Sequence, residues 1–527
     1  MEFLSLPYAL FFLSVLGVYW SVQQQQWRLW LILCASLAFY ASLQIQYIPL
    51  LLVSILINFR LGRELAILGN FSPSSPPHPS PQGERGGVRR QPPRKPAQNK
   101  RVSEGGLLEA EQPWNRRRLT ILCLGIFLNV ALLLGFKYVP FVLATVGQLL
   151  NLPPAQESAS WFKENVLAPL GLSFFSFECV AYLIDVYRGA PASKDFITFA
   201  AYKFFFPKLI SGPITRYQYF TTQLEGLQFP TPDQLTEGLW LIASGAVKKG
   251  LLADHLGRFV NVSFESLQRA GSQDIWLATL AYGLQLYLDF SGYVDIARGC
   301  AMLMGLNLPE NFDFPYFSTS IAEFWRKWHM TLGDWLRNYL YFPLGGSRQG
   351  LKRTCVNLLI VMLVAGIWHG AAWGFIVWGL LHGVALVVHR LTEALSNRVS
   401  ALKIWWGSIP GVVMAWALTQ GMVFISWICF RLPNLKDSSW ALQHLWGYAA
   451  DPQFAEKVYV EGFGLQRFQM ALLLEAIVAA MAVSFVLHRG LKVELNSPLK
   501  ILLVPVCFFA VWLLAPEGTP PFIYFDF

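Results

Sequence analysis

Charge is scarce in this chain. Of its 527 residues only 14% are Asp, Glu, Lys or Arg, while 54% are hydrophobic; a soluble globular domain carries roughly 25% charged residues. So few polar groups cannot cover the surface of a water-soluble chain of this length, and a mean hydropathy of +0.41 points to a protein solvated by lipid. Cysteine is sparse and scattered. Cys34, Cys123, Cys179, Cys300, Cys355, Cys429 and Cys507 stand mostly inside apolar runs, without a CxxC pair or a Cys/His cluster. Neither a disulfide framework nor a metal site is indicated, and the thiols read as small buried hydrophobes. A Gly-rich phosphate loop and a nucleophile elbow are missing too. The first residues lack the basic region and small-residue cleavage site of a removable signal peptide, so the first apolar run is expected to remain as a membrane helix.

What is abundant fits a bilayer. Aromatic residues reach 15%, with 20 Trp, a composition suited to rings placed at two membrane interfaces. The net charge of +9 lies in loops between apolar segments, as the positive-inside rule requires of cytoplasmic loops. That distribution implies membrane lipid and argues against nucleic acid as a partner.

Stretches near the roughly 20 residues needed to cross a bilayer recur along the chain: Leu4 to Trp20, Trp27 to Leu43, Ile48 to Leu61, Leu119 to Leu150, Val166 to Tyr187, a broken run from Phe196 to Ile214, Leu235 to Val262, Ile275 to Met304, Cys355 to His389, Pro410 to Cys429, Met470 to Leu487 and Leu499 to Leu514. Ten to twelve crossings or half-crossings are expected. Residues 70–118 (FSPSSPPHPSPQGERGGVRRQPPRKP and its flanks) are too rich in Pro, Ser, Gly and Arg to bury a core. They predict a disordered loop, and Arg60, Arg63 and Arg116 to Arg118 beside membrane ends put residues 60–118 in the cytoplasm and the N-terminus outside. Three segments result: N-terminal transmembrane helices at 1–69, the loop at 70–118, and the remaining helices at 119–527.

Three sites carry candidate chemistry. Glu323 to Tyr341 (EFWRKWHMTLGDWLRNYLY) predicts one amphipathic helix with Trp325, Trp328, Leu332, Trp335, Leu336 and Tyr339 in a stripe. His329 then falls on the edge of that stripe, which spacing alone leaves as a rim residue among headgroups. His369 interrupts an apolar run in Trp368-His369-Gly370, and an imidazole at that depth must be paired, face water or do chemistry. Packing between helices and function are both open to it, and the depth favours function. His382 and His389 share one face and read as structural or interfacial. Asp289 and Asp295 (DFSGYVD) suggest either an ion relay, as in a transporter, or local pairing; Arg298, three residues on, is the natural partner of Asp295, and Asp289 stays open. The available bases inside the membrane are therefore histidines, and a near-neutral imidazole suits removal of a proton from an attacking hydroxyl.

At these residues the chain resembles the membrane-bound O-acyltransferase family, in its bacterial branch that acetylates alginate. The resemblance lies in LGLSFFSFECVAYLIDVYRG (Leu170 to Gly189), FFPKLISGPITRY (Phe205 to Tyr217), LYLDFSGYVDIARGCAMLMGLNLPENFDFPYFS (Leu286 to Ser318), EFWRKWHMTLGDWLRNYLYFPLGG (Glu323 to Gly346), GIWHGAAWGFIVWGLLHG (Gly366 to Gly383) and the terminal FIYFDF. It covers nearly the whole chain except residues 70–118, which look like an insertion. It implies an all-α, multi-pass ring of helices with a central tunnel and re-entrant or interfacial helices. The family's catalytic histidine falls on His369 and its second motif position on His329. It further implies a bacterial inner-membrane enzyme with no tightly bound cofactor and no metal. An acyl thioester, acetyl-CoA in the simplest case, would reach the centre from the cytoplasm, and a polysaccharide hydroxyl, directly or through an exported SGNH-hydrolase-like partner, from outside. No residue is assigned to bind the donor. Two alternatives remain: D-alanyl transfer to teichoic acid within the same family, and a transporter or export channel using Asp289 and Asp295.

Overall fold

The computed structural model describes residues 3–69, 116–516, 518 and 522–523, whose regular structure is all helix, with no strand among them. Seven runs of helix in this set are long and apolar enough to cross a membrane. One of them, Gln25–Ile67, is 43 residues long, twice the length a crossing needs, and it bends where Gln44 leaves the helical region at φ −149° and ψ 74°. Leu6–Ser21 and Val139–Leu149 are apolar but shorter. The expected ten to twelve crossings or half-crossings thus included segments that are short, broken or walled in by protein. The Ser497–Leu514 helix is at the opposite extreme, with none of its apolar window buried, as befits a lipid-facing element.

Two apolar cores share a wall. One gathers residues 3–65 and much of 172–224; the other gathers Ala253 to Leu474. The Leu172–Tyr187 and Ser272–Leu303 helices send side chains into both. The long Ser272–Leu303 helix is nearly sheathed in protein and packs closely on Pro232–Ala246, because glycines face each other across the contact. A methyl group on Gly245 would sit 2.6 Å from the Gly292 carbonyl, and one on Gly299 2.5 Å from the Gly238 carbonyl.

Backbone that is not helical is tolerated at membrane depth only inside protein, and the FFPKLISGPITRY stretch obeys this. The Phe196–Phe204 helix ends at Phe205, and residues 205–215 run on buried. Glu178 holds the stretch in place. Its carboxylate accepts from Lys203 at 2.8 Å, from Lys208 at 2.6 Å and from the Thr215 backbone N–H at 3.1 Å.

The Asp289 and Asp295 pair resolves into local ion pairs. A π-helical turn at Val247–Ala253 places neighbouring lysines against the two carboxylates, Lys249 at 2.8 Å from Asp289 and Lys248 at 2.6 Å from Asp295. Arg298, the expected partner of Asp295, is more distant at 3.9 Å. The sequence had no means of showing that a π turn would bring two lysines there.

Residues 70–115 lie outside the described set, and with them the predicted loop. Its predicted end is too late, because Arg116–Lys137 is already helix. Arg118 is buried, and its guanidinium donates to the Leu65, Val186 and Tyr187 carbonyls. It caps the last turns of two neighbouring helices, where a cation complements the helix dipole.

Removing Glu178 would leave two buried ammonium groups opposite no carboxylate, a change that typically costs about 3–5 kcal/mol. Glu178→Ala is expected to lower the melting temperature of the detergent-solubilised protein sharply, and Glu178→Asp much less. Equal melting temperatures for Glu178→Ala and the parent would contradict this account of the clamp.

Candidate functional site

The expected single helix over Glu323–Tyr341 is three pieces: Ile321–Lys327, Met330–Leu336 and a π turn at Arg337–Tyr341. The break falls on Trp328 and His329. His329 takes φ +43° and ψ 55°, a left-handed conformation that costs a residue with a side chain on the order of 1–3 kcal/mol. Asn311 enforces it. The Asn311 carbonyl accepts from Met330 N–H at 2.9 Å, and its side-chain Oδ1 accepts from Thr331 N–H at 3.0 Å and Thr331 Oγ1 at 2.9 Å. The 100° spacing that put His329 on a rim therefore does not apply across the break. The ring is fully buried.

Asn311 also sets the ring's protonation pattern. Because its Oδ1 accepts from a backbone N–H, that atom is an oxygen, and the His329 Nδ1 lying 3.1 Å from it must carry the proton. The lone pair is then on Nε2. Complete burial of the ring disfavours its charged form.

His369 is the last residue of the Gly350–His369 helix. The backbone opens to extended values at Gly370 (φ −170°, ψ 157°) and re-enters helix at Trp373, so the apolar run from Val361 to Leu381 is interrupted where the sequence has its Trp-His-Gly. Gly370 permits the sharp return, since a methyl group there would meet the Phe375 ring at 2.1 Å. The carbonyls freed at this end are capped by two consecutive residues of another segment. Lys137 Nζ donates to the Trp368 carbonyl at 2.8 Å and the His369 carbonyl at 3.0 Å, and Tyr138 Oη donates to the Ile367 carbonyl.

The two imidazoles meet on Trp368. Its indole is 6.0 Å from the His329 ring and 4.9 Å from the His369 ring, centroid to centroid. His369 is also within electrostatic range of His329, Lys137 and His382. Phe174 and Phe290 flank His329, while Trp378 and Phe430 flank His369. The indole N–H groups of Trp368 and Trp378 are buried without an acceptor among the described residues. Two buried indole N–H groups thus accompany the imidazoles, Trp368 beside both rings and Trp378 beside His369.

His382 is different in kind. Its Nδ1 accepts from Trp325 Nε1 at 3.2 Å, and its Nε2 then donates to Ser426 Oγ at 2.9 Å. Both nitrogens are occupied, and the ring ties three helices together. The structural reading of His382 from the sequence agrees with this pattern, but the sequence did not single out Asn311, Lys137 or the Trp368 indole. Asn311 and Trp368 lie within stretches that carried the family resemblance; Lys137 does not. Among the described residues no three His, Cys, Asp or Glu side chains gather as a metal-binding group.

Lys137→Met would strip the cap from the helix that ends at His369. Leaving buried carbonyls without a donor costs about 1–3 kcal/mol, so the melting temperature of the solubilised protein is expected to fall, with Lys137→Arg retaining most of it. A Met variant as stable as the parent would mean these carbonyls find other donors.

Comparison with known proteins bears on what this arrangement serves. The family model for the membrane-bound O-acyltransferases matches residues 122–430, the span that contains both histidine sites. Over 442 residues the chain is 35% identical to a probable alginate O-acetylase, AlgI, of Pseudomonas putida, covering 82% of this chain and 78% of that protein. It is 32% identical over 448 residues to a peptidoglycan O-acetyltransferase of Helicobacter pylori, covering 80% and 74%. It is 31% identical over 300 residues to a teichoic acid D-alanyltransferase of Streptococcus thermophilus, covering 54% and 71%. The chain, a multi-pass helical membrane protein, belongs to the membrane-bound O-acyltransferase family and is an O-acyltransferase.

Proposed function

We propose that this enzyme is an O-acetyltransferase of the bacterial inner membrane, taking acetyl groups from a cytoplasmic thioester, acetyl-CoA, and delivering them toward hydroxyls of an exported polysaccharide such as alginate. The observation that carries the reading is the convergence of His329 and His369 on Trp368 inside an apolar core. The relatives favour acetyl over D-alanyl as the cargo, because the acetyl-transferring ones align over about four-fifths of this chain and the D-alanyltransferase over about half. An export channel built on Asp289 and Asp295 is disfavoured, since each carboxylate is held in an ion pair with a lysine, Lys249 being shared between Asp289 and Asp254.

The chemistry is acyl exchange between sulfur and oxygen. His369 takes the proton as the acceptor hydroxyl attacks the thioester carbonyl, and a tetrahedral oxyanion forms. The buried indole N–H of Trp368, with no acceptor of its own, is aligned with this need for a donor at the developing negative charge. His329, held as the Nδ1–H tautomer by Asn311, orients the reacting group through Nε2. Collapse of the intermediate breaks the C–S bond, and the thiolate regains the proton from His369 to leave as the free thiol. The acetyl ester is carried to the polymer directly or through an exported SGNH-hydrolase-like partner. With the Arg116–Arg118 end of its helix in the cytoplasm, as the positive-inside rule asks, the Lys137 end faces outward, as does the N-terminus.

If both imidazoles serve one step, their removal is non-additive. General acid–base assistance contributes on the order of 10²–10⁴ in rate, so His369→Ala and His329→Ala should each lose most of the activity and the double variant little more. The measurement is acetylated polymer at matched membrane expression. Near-normal product from His369→Ala would show that the base is elsewhere.

A further inference from the structure

The helix that ends at His369 brings the wrong electrostatic sign to the reaction. Gly350–His369 is 20 residues long, and the aligned peptide dipoles of such a helix leave roughly half a negative charge on the carbonyls of its last turn. That field stabilises a protonated imidazole at the helix end and opposes negative charge on a nearby oxygen. The proposed acyl transfer needs the reverse on both counts, a neutral His369 to receive the proton and an oxyanion formed close to it.

Lys137 stands at this end. Its Nζ donates to the Trp368 carbonyl at 2.8 Å, the His369 carbonyl at 3.0 Å and Ser173 Oγ at 3.4 Å, so each of the three ammonium hydrogens goes to a neutral oxygen. Lysines buried elsewhere are matched with acids: Lys203 and Lys208 share Glu178, and Lys249 lies between Asp254 and Asp289. No carboxylate pairs with Lys137 among the described residues. Capping alone does not call for a charge, because Tyr138 satisfies the neighbouring Ile367 carbonyl with a hydroxyl. The ammonium does what a neutral donor cannot. One whole positive charge set against about half a negative one leaves the helix end net positive.

We infer that Lys137 is a positioning residue of the acyl transfer, reversing the field of this helix end so that His369 stays unprotonated until the hydroxyl attacks. The same charge favours the oxyanion as it forms. This rests on the proposed reaction with His369 as its base and adds the group that holds the base ready. Lys137 acts through the backbone, since its bonds go to the carbonyls of Trp368 and His369 and not to either ring. His329 and His382 are the other titratable groups within electrostatic range of His369; both are buried, which disfavours their charged forms. Arg431, on the helix that carries Phe430, bonds to Asn261 at 3.0 Å.

The test is the pH–rate profile of the full chain in membrane vesicles, read as labelled acetyl passed from acetyl-CoA to the endogenous polymer. Lys137→Met and Lys137→Gln should each lower kcat about tenfold, the scale of a charge at a partly buried helix end, with KM for acetyl-CoA little changed. The acid limb of the profile should move up by about one pH unit, a tenfold gain in proton affinity at the base. Lys137→Arg should keep kcat and limb near the parent. Lys137→Gln retains a hydrogen-bond donor without the charge, so it separates the field from the cap. The limb and the KM do not depend on how much protein folds, so a loss of stability in Lys137→Met leaves both readable. An acid limb at the parent position in both neutral variants would overturn the inference, as would a parent-like kcat in Lys137→Gln. His369→Ala, run in parallel, keeps the two readings apart. Near-normal turnover in His369→Ala would remove the proposed base, whereas parent-like Lys137 variants beside an inactive His369→Ala would remove only the role given to Lys137.

Discussion

A polypeptide that leaves the helix at membrane depth exposes N–H and C=O groups that no water can satisfy, and each one left bare costs free energy that lipid cannot return. The structure meets this constraint at three places with buried polar side chains. Glu178, with Lys203 and Lys208, holds residues 205–215. Asn311 binds the turn at His329, and Lys137 with Tyr138 caps the helix ending at His369. The second and third breaks place the imidazoles against a common indole. The polar groups that permit irregular backbone are therefore the groups that set where the two imidazoles stand.

Three buried histidines show how hydrogen bonding divides structure from function. His382 has a donor on one nitrogen and an acceptor on the other, which leaves it nothing to offer a substrate. His329 is fixed at Nδ1 by Asn311, which makes Nε2 the unprotonated ring nitrogen. His329 also sits in a left-handed conformation that a non-glycine residue avoids unless its surroundings impose it. That strain is local to the break, and the Asn311 contacts to the His329 ring, Met330 and Thr331 are what hold it.

Much of this was legible in the sequence. Hydropathy gave the membrane class, and the depth of His369 in an apolar run marked it as a residue that must be paired or active. The Trp-His-Gly interruption also foretold the end of its helix. His329 was misplaced because helical periodicity assumes an unbroken helix, and nothing in EFWRKWHMTLGDW signals a residue at positive φ. The force that breaks it comes from Asn311, 18 residues earlier. Lys137 was equally hidden, since a lysine at the end of an apolar segment reads as an interfacial anchor and its carbonyl partners are more than two hundred residues away. The lysine pairs of Asp289 and Asp295 depend on a π turn that periodicity does not foresee.

The central claim is that one acyl carbonyl is handled between His329 and His369. Cryo-electron microscopy of the protein in nanodiscs with a ketone analogue of acetyl-CoA, in which a methylene separates the acetyl carbonyl from sulfur, tests it most directly. The account predicts the carbonyl carbon between the two imidazoles, with its oxygen in reach of the Trp368 indole N–H. A well-defined analogue whose carbonyl lies remote from both rings would contradict it.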